Sequence, residues 1–137
     1  MGLYLAVFNG DDEIDGVDVG SYGDYDVFIQ CVIKHVENGV NGSVCPVLTL
    51  HHDSDGEWSV EEAKVLQEEL LKIKKVLTEI PPIAHDSSWV LEVMEEDGLK
   101  PSNAYESFID VDGEFLIDRL VELTQISISK GLPILFQ

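Results

Sequence analysis

Apolar residues run without a break from Leu3 to Phe8, and Tyr4 and Phe8 add aromatic weight that favours extended backbone. An apolar run this short predicts a strand covered on both faces, at the centre of a sheet. Asn9-Gly10-Asp11-Asp12-Glu13-Ile14-Asp15-Gly16 then reads as an acidic, turn-forming loop. Val17-Asp18-Val19-Gly20 alternates apolar and polar, which predicts a short strand folded back on the first. Asn9-Gly10 is a hairpin signal, but this loop is longer than a tight hairpin needs. From Asp24 to about Glu37, Phe28, Val32 and Val36 recur every four positions, the spacing of one helix face. Asp24 and Asp26 stand at its dipole-favoured start, and Asn38-Gly39 is a stop signal. Pro46-Val47-Leu48-Thr49-Leu50 predicts a second core strand. The clearest helix follows: Ser59 and Glu62 have capping-box spacing, Ala63, Leu66, Leu70, Ile73 and Leu77 mark one face, and Pro81-Pro82 ends it. Residues 83–106 carry the weakest pattern. Ser87 or Ser88 is placed to cap a short helix through Trp89, Leu91 and Met94 that stops at Gly98, with loop to Asn103. Ser107-Phe108-Ile109-Asp110 reads as a strand or an extended lead-in. Leu116, Leu120 and Leu123 predict a last helix from Glu114 to Lys130, closed by Gly131, although Ile126-Ser127-Ile128-Ser129 alternates like a strand. Pro133-Ile134-Leu135-Phe136 predicts a final strand.

These elements sum to one α+β domain over residues 1–137. A mixed sheet, with strands near 3–8, 45–50 and 132–136 at its centre, is packed by three to four helices, chiefly 24–37, 60–79 and 114–130. Hydrophobic residues make up 45% of the chain, enough for a packed core and too many for a disordered acidic tail.

Charge changes the picture most. Against 27 Asp and Glu stand 8 Lys and Arg, a formal charge of -19. Such a body repels nucleic acid and anionic membranes and attracts basic protein surfaces. Four of the eight basic residues (Lys64, Lys72, Lys74 and Lys75) lie on the 60–79 helix, so the remaining surface is more acidic than the average. Cys31 and Cys45 match no zinc or redox spacing and sit among apolar neighbours, which predicts buried free thiols in a reducing compartment. The first residues lack a basic leader, no apolar run is long enough to span a bilayer, and Ala6 stands where a myristoylation pattern needs Ser or Thr. A cytoplasmic protein is expected.

Candidate chemistry is sparse. Counted from His51, the segment 51–62 places Asp53, Asp55, Gly56 and Glu62 at calcium-loop positions three, five, six and twelve. Position one is His51, a poor ligand for a hard cation, and the preceding element reads as a strand. A turn followed by a capped helix is the stronger reading, with Asp53, Asp55 and Glu62 kept as weak metal candidates. Asp110-Val111-Asp112-Gly113-Glu114 repeats the acidic turn and precedes a helix whose amides it is placed to satisfy; the other reading has the two acidic loops meeting in one anionic patch. His51-His52 falls short of the three or four ligands zinc takes, and adjacent strand residues point to opposite faces. No nucleophile elbow or reactive cysteine is present. We therefore expect no enzyme activity and no cofactor. Trp58 and Trp89 read as core anchors first and interface aromatics second.

Several words of the chain carry a resemblance: the opening Met1–Phe8, Ile14-Asp15-Gly16-Val17-Asp18-Val19-Gly20-Ser21-Tyr22, Asp53-Ser54-Asp55-Gly56-Glu57-Trp58-Ser59, Tyr105-Glu106-Ser107-Phe108-Ile109-Asp110-Val111-Asp112-Gly113-Glu114, and the ending Gly131–Gln137. Together, from end to end, they resemble the Immunity protein 70 family of bacterial polymorphic toxin systems. The resemblance implies a small cytoplasmic protein that binds and neutralises a cognate toxin, and it brings no catalytic residue with it. Charge agrees, since an acidic protein docks fast on a basic toxin. The candidate contact residues are Asp11, Asp12, Glu13, Asp15, Asp18, Asp53, Asp55, Glu57 and Trp58. A calcium- or other divalent-cation-binding regulatory module is the alternative function, and a second copy of the chain is the alternative partner.

Overall fold

The computed structural model describes residues 2–51, 56–84 and 87–137. Strands β1 (Gly2–Asn9) and β2 (Asp12–Ser21) open the chain, followed by helices α1 (Tyr22–His35) and α2 (Pro46–Thr49), strand β3 (Glu57–Trp58), helices α3 (Val60–Leu77) and α4 (Ser88–Glu96), a 3-10 turn at Tyr105–Ser107, helix α5 (Leu116–Lys130) and strand β4 (Ile134–Phe136). The sheet order is β2-β1-β4-β3, and every pairing is antiparallel. The fold is α+β as expected, with an antiparallel sheet in place of a mixed one.

The first hairpin is tighter than the acidic loop suggests. Asn9 pairs with Asp12, which leaves Gly10-Asp11 as the whole turn, and Gly10 takes the left-handed φ of 66° that such turns require. The surplus residues are absorbed in β2, whose register slips opposite Leu3/Tyr4 and Val7/Phe8.

The second core strand expected at 45–50 is instead helix α2. Pro46 occupies its first turn, where a missing N–H costs nothing. The Glu69 carboxylate accepts from Val47 N (3.2 Å) and Leu48 N (3.0 Å), capping the helix from α3. Glu37 takes Gly42 N, Val44 N, Cys45 N and Thr49 Oγ1 at 2.8–3.2 Å, holding the loop that leads in. A short apolar run cannot by itself distinguish a buried strand from a buried helix turn.

The three periodic helices form as read. Ser59 Oγ accepts from Glu62 N while Ser59 N donates to the Glu62 carboxylate, both at 3.1 Å. Helix α5 runs through 126–129 without a break, because its buried face continues to Ser127, and it ends at Gly131 (φ 68°). Phe28 and Val32 of α1, Leu66, Leu70, Ile73 and Leu77 of α3, and Leu116, Leu120 and Leu123 of α5 share one core with Leu3, Leu5, Val7, Val17 and Val19 of the sheet. Both cysteines are buried and free, and burial pushes their thiols up, to about 11 for Cys31 and about 12 for Cys45.

Candidate functional site

Residues directly opposite across a sheet share a face. Leu5 pairs with Val17 and Phe136, and these belong to the core beneath the helices. Their neighbours therefore point the other way. Tyr4 pairs with Asp18, Phe8 with Glu13, Ala6 with Gly16 and Leu135, and Leu135 with Glu57. Tyr4, Phe8 and Leu135 are half-buried, Glu13 and Glu57 are exposed, and none of them joins the helical core. Among the described residues, no helix covers this face. It is an aromatic and aliphatic strip with carboxylates along both edges.

Local chemistry fixes the centre of the strip. The Tyr4 ring lies across Gly16, where an added Cβ would come within 2.1 Å of the phenol oxygen. Glycine is thus required by close approach, since φ at this position is ordinary. The Tyr4 hydroxyl hydrogen-bonds Glu13, and its pKa rises to about 12 through burial first, then that bond, then the charges of Glu13, Asp15 and Asp18. Tyr4 stays protonated, a neutral donor inside a ring of negative charge.

The candidates chosen from sequence separate into groups. Asp11 and Asp12 are exposed at the tip and start of the hairpin, with Glu13 and Asp18 on the open face of β2. Asp18 Oδ1 also accepts from Gly20 N at 3.0 Å. Asp15, opposite Val7, turns to the helix side. There Arg119 grips it with both terminal nitrogens (3.1 and 3.3 Å), donates to Gly16 O (2.8 Å) and contacts Glu122 (2.9 Å) and Asp110 (3.6 Å). Its charge is therefore already matched. Glu57 sits on β3, three strand spacings or about 14 Å from β2. Asp53 and Asp55 lie outside the described residues, as do His52 and His85. Trp58 is 1% exposed, donates to Val47 O (3.2 Å) and packs edge-on to Phe136. Its buried indole serves the core and leaves no surface to a partner. Trp89 is half-buried and donates to Asp24 (2.8 Å).

The acidic turns do not merge. Val111 N donates to Asp18 O (3.1 Å), which lays residues 110–114 along β2, at the opposite edge from Glu57. Asp110 caps its own turn by accepting from Asp112 N and Glu114 N, while α5 begins at Leu116 behind Phe115, which gives it no side-chain cap. Glu62, the described member of the weak metal set, is held in the α3 capping box. Among the described residues, no three His, Cys, Asp or Glu side chains converge as a metal site, and no helix is long and apolar enough to cross a membrane.

Tyr4, Phe8 and Leu135 were hidden in the sequence as ordinary members of apolar strands. Only their register against Asp18, Glu13 and Glu57 marks them as surface. The family model described as Immunity protein 70 matches residues 3–136. No curated protein and no solved structure gives a significant match.

Proposed function

The chain belongs to the Immunity protein 70 family, and from that premise we propose that it neutralises a basic toxin domain in the cytoplasm by one-to-one occlusion, without catalysis of its own. The observation that supports this reading is the open sheet face: Tyr4, Phe8 and Leu135 framed by Glu13, Asp18 and Glu57, with Asp11 and Asp12 at the hairpin tip. An apolar, aromatic centre with a charged rim is the usual anatomy of a protein interface. Size decides how far the patch must extend. The face spans about 14 Å across the strands, but only β1 and β2 run the ~26 Å length, β4 and β3 being three and two residues, so it covers less than half of the ~800 Å² that each partner contributes to a standard interface. The hairpin tip and the sheet edges therefore belong to the contact.

The test is stopped-flow association with a candidate toxin domain, sought among the genes beside this one. Replacing Asp11, Asp12, Glu13, Asp18 and Glu57 together by Asn or Gln is expected to slow association about tenfold or more at low salt and to flatten its salt dependence. Tyr4→Ala is expected to act mainly on the dissociation rate. Unchanged association in the neutralised variant removes the open face from the mechanism, and no binding by the unaltered chain removes the mechanism itself.

A further inference from the structure

A cavity of about 340 Å³ opens between α1 and the segment 41–51, away from the open face. Tyr22, Tyr25, His51 and Phe136 give it aromatic walls, and Asp26 and Gln30 of α1 lie at its margin. Among its described lining residues Asp26 carries charge, and none is a lysine or arginine. The volume is at the small end for ligand pockets, ~300–1,000 Å³, which suits one long side chain better than a cofactor. Leu50, 48% exposed, stands between the lining residues Thr49 and His51 in the chain. Leu50 lies over Gly42, where a Cβ would meet it at 2.7 Å, so the two ends of the 40–50 segment close together into one wall.

Tyr25 is 9% exposed, lines the cavity, and its hydroxyl has no hydrogen-bond partner among the described residues. The oxygen is shielded from solvent, so it is the Tyr25 ring, not its hydroxyl, that faces the cavity.

We infer that this cavity is a socket for an arginine side chain of the toxin, with Asp26 meeting the guanidinium charge and the tyrosine rings receiving its flat face. This rests on the toxin-binding reading above. Arginine fits better than an aliphatic anchor because the walls combine aromatic π faces with a carboxylate, both complementary to a planar cation. The two surfaces lie on opposite faces of β1, since Leu3 lines the cavity and Tyr4, the next residue of the strand, centres the open face, so a partner that holds both wraps around that end of the sheet.

Two exposed rim positions allow a test without disturbing the core. Gln30→Trp fills the mouth and Asp26→Asn removes the charge. Calorimetry with the toxin domain is expected to show at least tenfold weaker binding for Gln30→Trp and about threefold or more for Asp26→Asn, with unchanged melting temperatures. In parallel, amide NMR is used to follow titration with acetyl-arginine-methylamide. Shifts are expected at Tyr22, Gln30 and Asn41, absent with acetyl-norleucine-methylamide and absent in Gln30→Trp. Wild-type affinity in both variants overturns the socket while leaving the open face standing. Equal shifts from the norleucine compound, or a dimer of the free chain that Gln30→Trp dissolves, also overturn it, in favour of an apolar site or a self-contact. If the unaltered chain binds no toxin, the functional reading falls and the socket with it.

Discussion

Glu37 and Glu69 are carboxylates 1% and 6% exposed in a protein that already carries an excess of negative charge. Their environments push them in opposite directions. Burial raises the pKa of both. At Glu37 three backbone N–H groups and the Thr49 hydroxyl outweigh burial and bring the pKa below the usual range. At Glu69 two N–H groups do not suffice, and the nearby Glu37 charge adds to the rise. Glu37 is therefore an anion that the 42–49 segment is folded around. Glutamine there keeps one acceptor but turns an NH2 group toward backbone donors. Glu37→Gln is expected to destabilise by about 2–3 kcal/mol, since bonds to charged groups contribute ~1.5–3 kcal/mol and orphaned buried donors cost ~1–3 kcal/mol each. Urea denaturation would measure it. A change under ~0.5 kcal/mol would mean that the loop holds its shape without the carboxylate.

Among the elements, β2 is the long edge strand, and an open edge invites pairing with other chains. Two of its outward carbonyls are occupied: Gly16 O by Arg119 and Asp18 O by Val111 N. Arg119 also faces Asp110, which is 2% exposed and whose pKa is raised by burial despite two N–H bonds and the guanidinium. Arg119→Met keeps the stem and removes the fork, leaving Asp110 buried beside no cation. The expected loss is about 3 kcal/mol, at the low end for breaking a buried pair because Asp15 and Glu122 regain water. Faster hydrogen exchange at Val111, whose bond to Asp18 lies beside the lost clamp, should accompany it; protection equal to wild type would show that the turn covers the edge unaided. The element level is also where the sequence was most and least readable. Helices α1, α3 and α5 could be read because their apolar residues recur at helical spacing over three or more turns, a signal set within one element. Helix α2 could not, because two glutamates from α1's C-terminal end and α3 decide its conformation. The tight hairpin was obscured by bulges that only pairing reveals. Of the site, the acids were legible as composition, whereas the aromatic strip depends on which face each strand residue takes once the register is set.

At the scale of the whole molecule, a charge of -19 opposes compactness, and its effect on stability can be separated from that of individual carboxylates by pH and salt. Asp24 is also lowered: burial acts against ionisation, but bonds from Trp89 and Ser21 outweigh it. For Asp24 and Glu37, with folded pKa values below the unfolded ones, stability is present above the unfolded value of ~4 and is lost as pH falls through the folded values. For Glu69 and Asp110, raised in the folded state, the sign reverses. Their ionisation costs stability as pH climbs from the unfolded toward the folded pKa, so acidification first restores it. General repulsion has this second sign, since every proton taken up reduces it. Lowering the pH from 8 toward 5 should thus raise the melting temperature, and a fall should set in below ~4 as Glu37 and Asp24 protonate. Added salt should raise the melting temperature at pH 8 and do less near pH 5, because screening acts on spread surface charge more than on buried pairs. A melting temperature that climbs steadily from pH 5 to 8 at low salt would show that attractive pairs outweigh repulsion. The acidic surface would then be compensated within the fold and hold little potential to draw in a basic toxin.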